Sequence, residues 1–139
     1  MKIEARQRKF EILGDTGCFL LAMIELGQDV LGHYIDALIV YIKALEVGFI
    51  KETSLILKHE QLMQQITGDE WQYHKEGPEY KLQFNEFEIQ EWRRDDIGKS
   101  YTHFAYVRRS GEIVDTLGNS VTLAKGYLVS RRVFKLLPK

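Results

Sequence analysis

Gly14-Asp15-Thr16-Gly17-Cys18-Phe19-Leu20-Leu21-Ala22-Met23-Ile24 decides how the rest of the chain is read. A small, polar, turn-forming run, Gly14–Gly17, passes at Cys18 into an apolar segment of helix formers, which predicts a helix start at Cys18. Asp15 or Thr16 stands where a cap is needed. A helix so apolar on every side does not lie on a surface, so Leu20, Leu21, Met23 and Ile24 are expected in the core. Cys18 is the only cysteine in the chain. A thiol at a helix N-terminus feels the unpaired N–H groups of the first turn, which favours the thiolate. The plainer reading is a small buried hydrophobe, since lone cysteines commonly behave as one.

The 139 residues suit one domain, 1–139, and can enclose a real core. With 19 basic against 20 acidic side chains the formal net charge is −1, so no global field argues for a nucleic acid or a membrane surface as partner. One cysteine excludes an internal disulfide framework and a multi-cysteine zinc site. No cofactor is expected. The N-terminus, Met1–Lys9, is charged and is followed by no apolar run of signal-peptide type. No apolar stretch approaches membrane-spanning length without a charge, and a cytoplasmic location is the expectation.

Upstream of the key stretch, residues 2–13 read as a short helix or arm leading into the Gly14–Gly17 turn. Downstream, the helix from Cys18 runs to about Leu26, with Gly27 as its stop. Leu31, Tyr34, Ile35, Leu38, Ile39, Ile42 and Leu45 recur at spacings of three and four, predicting a second helix over about 30–46 that Gly48 interrupts. Ile35, Leu38 and Ile39 are expected in the core, together with Phe104. Thr53 or Ser54 then caps a segment carrying Leu62, Met63 and Ile66, which Gly68 ends.

After Gly77-Pro78 the period becomes two. Tyr80, Leu82 and Phe84 alternate, then Phe87 and Ile89, and the parity slip across Asn85-Glu86 marks a turn or bulge. Arg93–Lys99 reads as a polar loop and Tyr101–Val107 as a strand. Gly111 closes a hairpin onto Glu112–Thr116. A loop with Gly118-Asn119, a short segment over Val121–Tyr127 and a strand over Arg131–Leu137 complete the chain. Helices first and an antiparallel sheet afterwards make an α+β protein.

A cysteine nucleophile needs a base in reach, and the base needs a third group to hold its tautomer. His103 and Asp115 are the candidates, and hairpin geometry decides whether they meet. A three-residue loop with Gly111 left-handed pairs Arg108 with Glu112 and puts Ala105 opposite Asp115 and His103 opposite Leu117. His103 and Asp115 are then diagonal neighbours on one face, about 7 Å apart at the backbone. A two-residue loop at Ser110-Gly111 would put them on opposite faces. His33, His59 and His74 read as exposed or capping, and no tight ligand spacing suggests zinc. Arg108-Arg109 and Arg131-Arg132 read as solvated faces. There is no Gly-rich phosphate loop.

Gly17-Cys18 opening an apolar helix, the later His103-Phe104 strand with Val107, and a hairpin ending in Asp115 resemble the papain-like cysteine peptidase superfamily. The likeness is to its compact bacterial branch, which includes the peptidase domains that process double-glycine leader peptides. That resemblance implies a papain-like fold, a Cys18–His103–Asp115 triad, and a peptide or protein substrate. Phe87-Glu88-Ile89-Gln90-Glu91-Trp92 followed by Thr102-His103-Phe104 also resembles an uncharacterised bacterial and phage domain family of this size. One departure stands out. Papain-like members carry a Gln a few residues before the Cys, whereas Phe10, Glu11, Ile12 and Leu13 stand here and the nearest earlier Gln is Gln7. An oxyanion donor is commonly worth on the order of a hundredfold in turnover. The resemblance therefore implies two functions: a cysteine hydrolase of peptide or amide bonds, or a non-catalytic papain-like module, of phage origin, that binds a peptide or protein.

Overall fold

The computed structural model describes residues 3–115 and 120–139, with the side chains of Ile3, Arg6, Phe10, Leu13 and Asp15 left aside. Four helices come first: α1 (Ile3–Thr16), α2 (Cys18–Leu31), α3 (Ala37–Val47) and α4 (His59–Thr67). The strands follow as β1 (Trp71–Glu76), β2 (Glu86–Asp96), β3 (Lys99–Val107), β4 (Ile113–Val114) and β5 (Tyr127–Leu136), with the short α5 (Val121–Lys125) before the last. The chain is thus α+β, as its pattern predicts. Among the described residues the strands form one antiparallel sheet in the order β1-β5-β2-β3-β4. The last strand, β5, is inserted between β1 and β2.

The helix that begins at Cys18 is real, but its boundaries differ from the sequence reading at both ends. Gly14, Asp15 and Thr16 belong to α1 and not to a turn, so the break between the helices is Gly17 alone. No side chain caps α2. The Thr16 hydroxyl instead donates to the carbonyls of Ile12 and Thr53, both 3.0 Å away. Gly27 does not stop α2. The helix passes through it to Leu31 and ends at Gly32, whose φ of 77° is left-handed. A Cβ on Gly27 would lie 2.5 Å from Ile66 Cγ2, so this glycine exists to let α4 approach. The predicted 30–46 helix is shortened for a related reason: Asp36 accepts hydrogen bonds from the Leu38 and Ile39 amides and starts α3 afresh.

Gly48 and Gly68 end α3 and α4 as predicted, both left-handed. Thr53 and Ser54 do not cap α4, which begins at His59 behind Lys58. That stretch forms an irregular connection closed by a bridge between Ile50 and Ile56, with Ser54 at a φ of 69°.

In the second half, β1 lies in a stretch that the sequence pattern leaves as polar. Tyr80–Phe84 is not a strand, because β5 occupies the place beside β2. Tyr80 instead donates its hydroxyl proton to Glu86, and Phe84 is 83% exposed. The parity slip falls at Asn85, with a φ of 67°, just before β2 starts. Arg93–Lys99 is not a loop either. β2 and β3 run on to a two-residue turn at Ile97-Gly98, and Asp96 pairs with Lys99. The predicted strand residue Thr116 and the Gly118-Asn119 loop lie outside the described residues.

The core sits where α2 meets the sheet. Leu20, Met23 and Leu26 of α2 are fully buried with Tyr41 of α3, Leu62 and Met63 of α4, and Ile89, Tyr106 and Phe134 of the sheet. Ile24 and Leu38 are buried as expected, while Leu21, Ile35 and Phe104 are half-covered. Ile39 is 59% exposed, a correction that follows from the new helix start, which turns it away from α2. No helix among the described residues is long and apolar enough to cross a membrane.

Leu20→Ala should cost about 2–5 kcal/mol. Gly27→Ala should cost about 1–3 kcal/mol, since overpacking against the branched Ile66 exceeds the gain in helix propensity. Ile39→Ala should change stability by less than about 0.5 kcal/mol. Urea unfolding of the three variants checks this ranking, and Ile39→Ala behaving like Leu20→Ala would show the packing face to be wrong.

Candidate functional site

Two local features bring the candidate residues together. The first is the β3–β4 hairpin. Tyr106 pairs with Val114 and Val107 with Ile113, the Arg108 amide donates to the Glu112 carbonyl at 2.9 Å, and Gly111 has a φ of 92°. This is the three-residue loop with a left-handed glycine, and it sets His103 and Asp115 diagonally on one face. The imidazole Nε2 lies 3.0 Å from Asp115 Oδ1. Asp115 also accepts from the Ser120 amide at 2.8 Å, and Ser120 in turn caps α5. The carboxylate is therefore oriented before it meets the ring.

The second feature is the start of α2. Among the described residues β4 pairs with β3 at Tyr106 and Val107, and α2 packs against β3. Cys18 sits there, half-buried, and its sulfur is held by His103 and by the backbone N–H groups of Phe104 and Phe19. Asp115 engages Nε2, so Nδ1 is the ring nitrogen left for the thiol. The far end of α2 is fixed to the same strand, because Asp29 accepts from Arg108 Nε at 2.9 Å and from the Tyr106 hydroxyl.

These contacts decide the charge states. Burial pushes the Cys18 thiol up, but hydrogen bonds from His103 and the Phe104 amide, with the charge of the imidazolium, outweigh it. The net shift is downward. Burial likewise pushes His103 down, and its bonds and charge interactions with Cys18 and Asp115 reverse that, so it ends raised. The two shifts together favour a thiolate–imidazolium pair. All three residues predicted as a site, Cys18, His103 and Asp115, are thus joined in series.

A cleft of about 350 Å³ opens beside Cys18, bounded by the 53–56 connection, the start of α4, Phe19, Phe104 and Arg132. Neither His103 nor Asp115 lines it, so the thiol stands between the imidazole and the cleft. Two of its walls correct the sequence reading. His59 is not a free surface histidine. Its ring stacks on Tyr73 with centroids 4.1 Å apart and meets the Phe19 ring edge-on at 5.3 Å. Burial, then the Arg132 charge, depress its pKa to about 4, which leaves the imidazole neutral.

Arg131-Arg132 is not a solvated face. Arg131 pairs with Glu88 at 2.6 Å, and Arg132 is largely covered among Glu91, Ser130 and Tyr73. The signal that could have found Arg132 is its place one residue from Val133 in an alternating strand, which turns it to the face that carries Phe134. His74 is bonded to Glu76 and Glu86, away from this site, and only His33 is exposed as predicted. Gln7 lies in α1 and donates to Glu11. No group of three or more His, Cys, Asp or Glu among the described residues is arranged to hold a metal ion.

Folded His59 refuses a proton that the unfolded chain accepts near pH 6.5, so it lowers stability progressively as pH falls from about 6.5 toward its folded value of about 4. His59→Gln should flatten this part of the profile. Urea unfolding of both proteins at pH 7 and pH 4.5 checks it, and equal acid losses would show that His59 titrates normally.

The profile of a family described as "Protein of unknown function, DUF261" matches residues 1–136. No curated protein and no solved structure matches the chain.

Proposed function

Because the chain belongs to this family of unknown function, its activity has to be read from the site, and we propose a papain-like cysteine hydrolase acting on peptide or amide bonds. The observation that carries this reading is the series Cys18–His103–Asp115 at the mouth of a cleft, with each member held by the next. A buried structural cysteine has no need of an imidazole and a carboxylate aligned behind it.

In the proposed reaction the Cys18 thiolate attacks the carbonyl carbon, and the π pair moves onto oxygen. Collapse of that tetrahedral adduct expels the amine, which takes its proton from the His103 imidazolium. The product is a thioester on Cys18. His103, now neutral, accepts a proton from water as its oxygen attacks the thioester carbonyl, and the acid leaves as the thiolate–imidazolium pair is restored. Asp115 keeps the ring in the tautomer that presents Nδ1 to sulfur. The substrate is then a peptide or protein segment seated in the cleft, and a reducing compartment such as the cytoplasm suits a lone thiol. One observation favours the binding-module alternative: Gln7 is engaged within α1 and supplies no oxyanion donor.

Iodoacetamide should alkylate Cys18 at about pH 6, where an ordinary thiol with a pKa of about 8.5 is almost wholly protonated. His103→Ala should move the labelling profile up by about one pH unit or more, and Asp115→Asn by less. Hydrolysis also needs the imidazolium as acid, so its rate should fall on the alkaline side as pH passes the raised His103 value. A Cys18 that labels like a free thiol and ignores His103→Ala would leave the binding module standing.

A further inference from the structure

The cleft beside Cys18 has a chemical bias that the triad does not use. Its walls are mostly apolar (Phe19, Leu55, Ile56, Phe104), His59 is neutral, and among the described residues no carboxylate lines it. Apart from the thiol, Arg132 is the ionised group it contains among the described residues. That guanidinium is fixed in place. Nε donates to Ser130 Oγ at 3.1 Å, Nη1 to the Tyr73 hydroxyl at 3.0 Å, and Nη2 to Glu91 Oε1 at 3.1 Å. Its Cζ lies 5.3 Å from the centre of the Phe104 ring and 5.7 Å from that of Phe19.

Three bonds use three of the five N–H donors of an arginine, and two are left. Glu91 does not cancel the charge, because its other oxygen lies 3.8 Å from Arg93 Nη2, setting one carboxylate against two guanidiniums. The positive field reaches the cleft wall, where Arg132 helps to keep His59 unprotonated.

We propose that this cleft selects substrates with a carboxylate close to the scissile bond, and that Arg132 is the group that binds it. A guanidinium held rigid on an apolar wall matches a planar carboxylate and loses little freedom on binding it. The same wall disfavours a cationic side chain, which would meet the like charge of Arg132. This inference rests on the hydrolase reading, and the anion could be an acidic side chain on the acyl side or a carboxylate on the leaving side.

Two probe pairs separate these sources. The p-nitrophenyl esters of N-acetylglutamate and N-acetylglutamine differ in charge on the acyl side. O-Acetylated 4-hydroxybenzoate and its methyl ester differ on the leaving side. Acylation of Cys18 is followed by phenol release and by mass. The charged member should be preferred in one pair, and that pair identifies the source. Arg132→Gln should reduce the preference by about tenfold or more, a typical loss for a partly desolvated charge pair. Leu55→Glu, at a 57% exposed position on the cleft rim, should reduce the preference without touching the packing of Arg132. No preference in either pair, or a preference that survives both substitutions, overturns the proposal. A Cys18 inert to all four esters and to iodoacetamide overturns the hydrolase reading itself, and this one with it.

Discussion

A helix as apolar as α2 is stable in water only when most of its surface is covered, and that requirement organises the molecule. Leu20, Met23 and Leu26 share one side of the helix and are fully buried, and Phe19, Ala22, Ile24 and Gly27 widen the buried arc to more than half of its circumference. The other N-terminal helices cover one part of α2 and the sheet covers another. Gly27 allows α4 to come close enough to seal the far side. Burial of a leucine-sized side chain contributes about 1.5–3 kcal/mol, so this one helix is a main source of the stability of the whole. The same packing gives Cys18 its chemistry, because a helix pressed against β3 brings its first residue to His103 and Phe104.

The sheet carries more charge than its position suggests. Glu88 and Glu91 are buried in β2, paired with Arg131 and Arg132 of β5. Breaking such a pair commonly costs about 3–5 kcal/mol, since the remaining charge is left without water or partner. The pairs also help to specify which strand lies beside β2. A one-residue slip would separate Glu91 from Arg132 and send Phe134 to the other face, so the apolar and ionic patterns support a single register. Arg132 joins this lattice to the cleft: it serves the sheet through Glu91 and Ser130, and lines the cavity with its remaining edge.

Parts of the candidate site were legible because they depend on few residues near in sequence. Gly111 in the left-handed region sets the hairpin, and the hairpin sets the distance from His103 to Asp115. Gly48 and Gly68 are legible as helix ends for the same local reason. Other parts were not. Gly27 looks like a helix stop until α4 is seen against it. His59 looks like a surface residue in a charged run until Tyr73, fourteen residues later, stacks on its ring. β1 is polar by composition and becomes a strand only because β5 is there to pair with it.

What the sequence by itself determined is local: a helix beginning at Cys18, a hairpin closed at Gly111 whose register it narrowed to two choices, and the order of helices before strands. Each follows from backbone preferences and hydrophobic period acting over a dozen residues or fewer. Tertiary structure decided the rest. It inserted the last strand between the first two, stood α2 against β3, and walled the cleft with His59 and Arg132 from elements more than seventy residues apart. Contacts of that separation are selected by the burial of whole faces and the pairing of buried charges, which depend on all the elements at once and so leave no mark in any single stretch of chain.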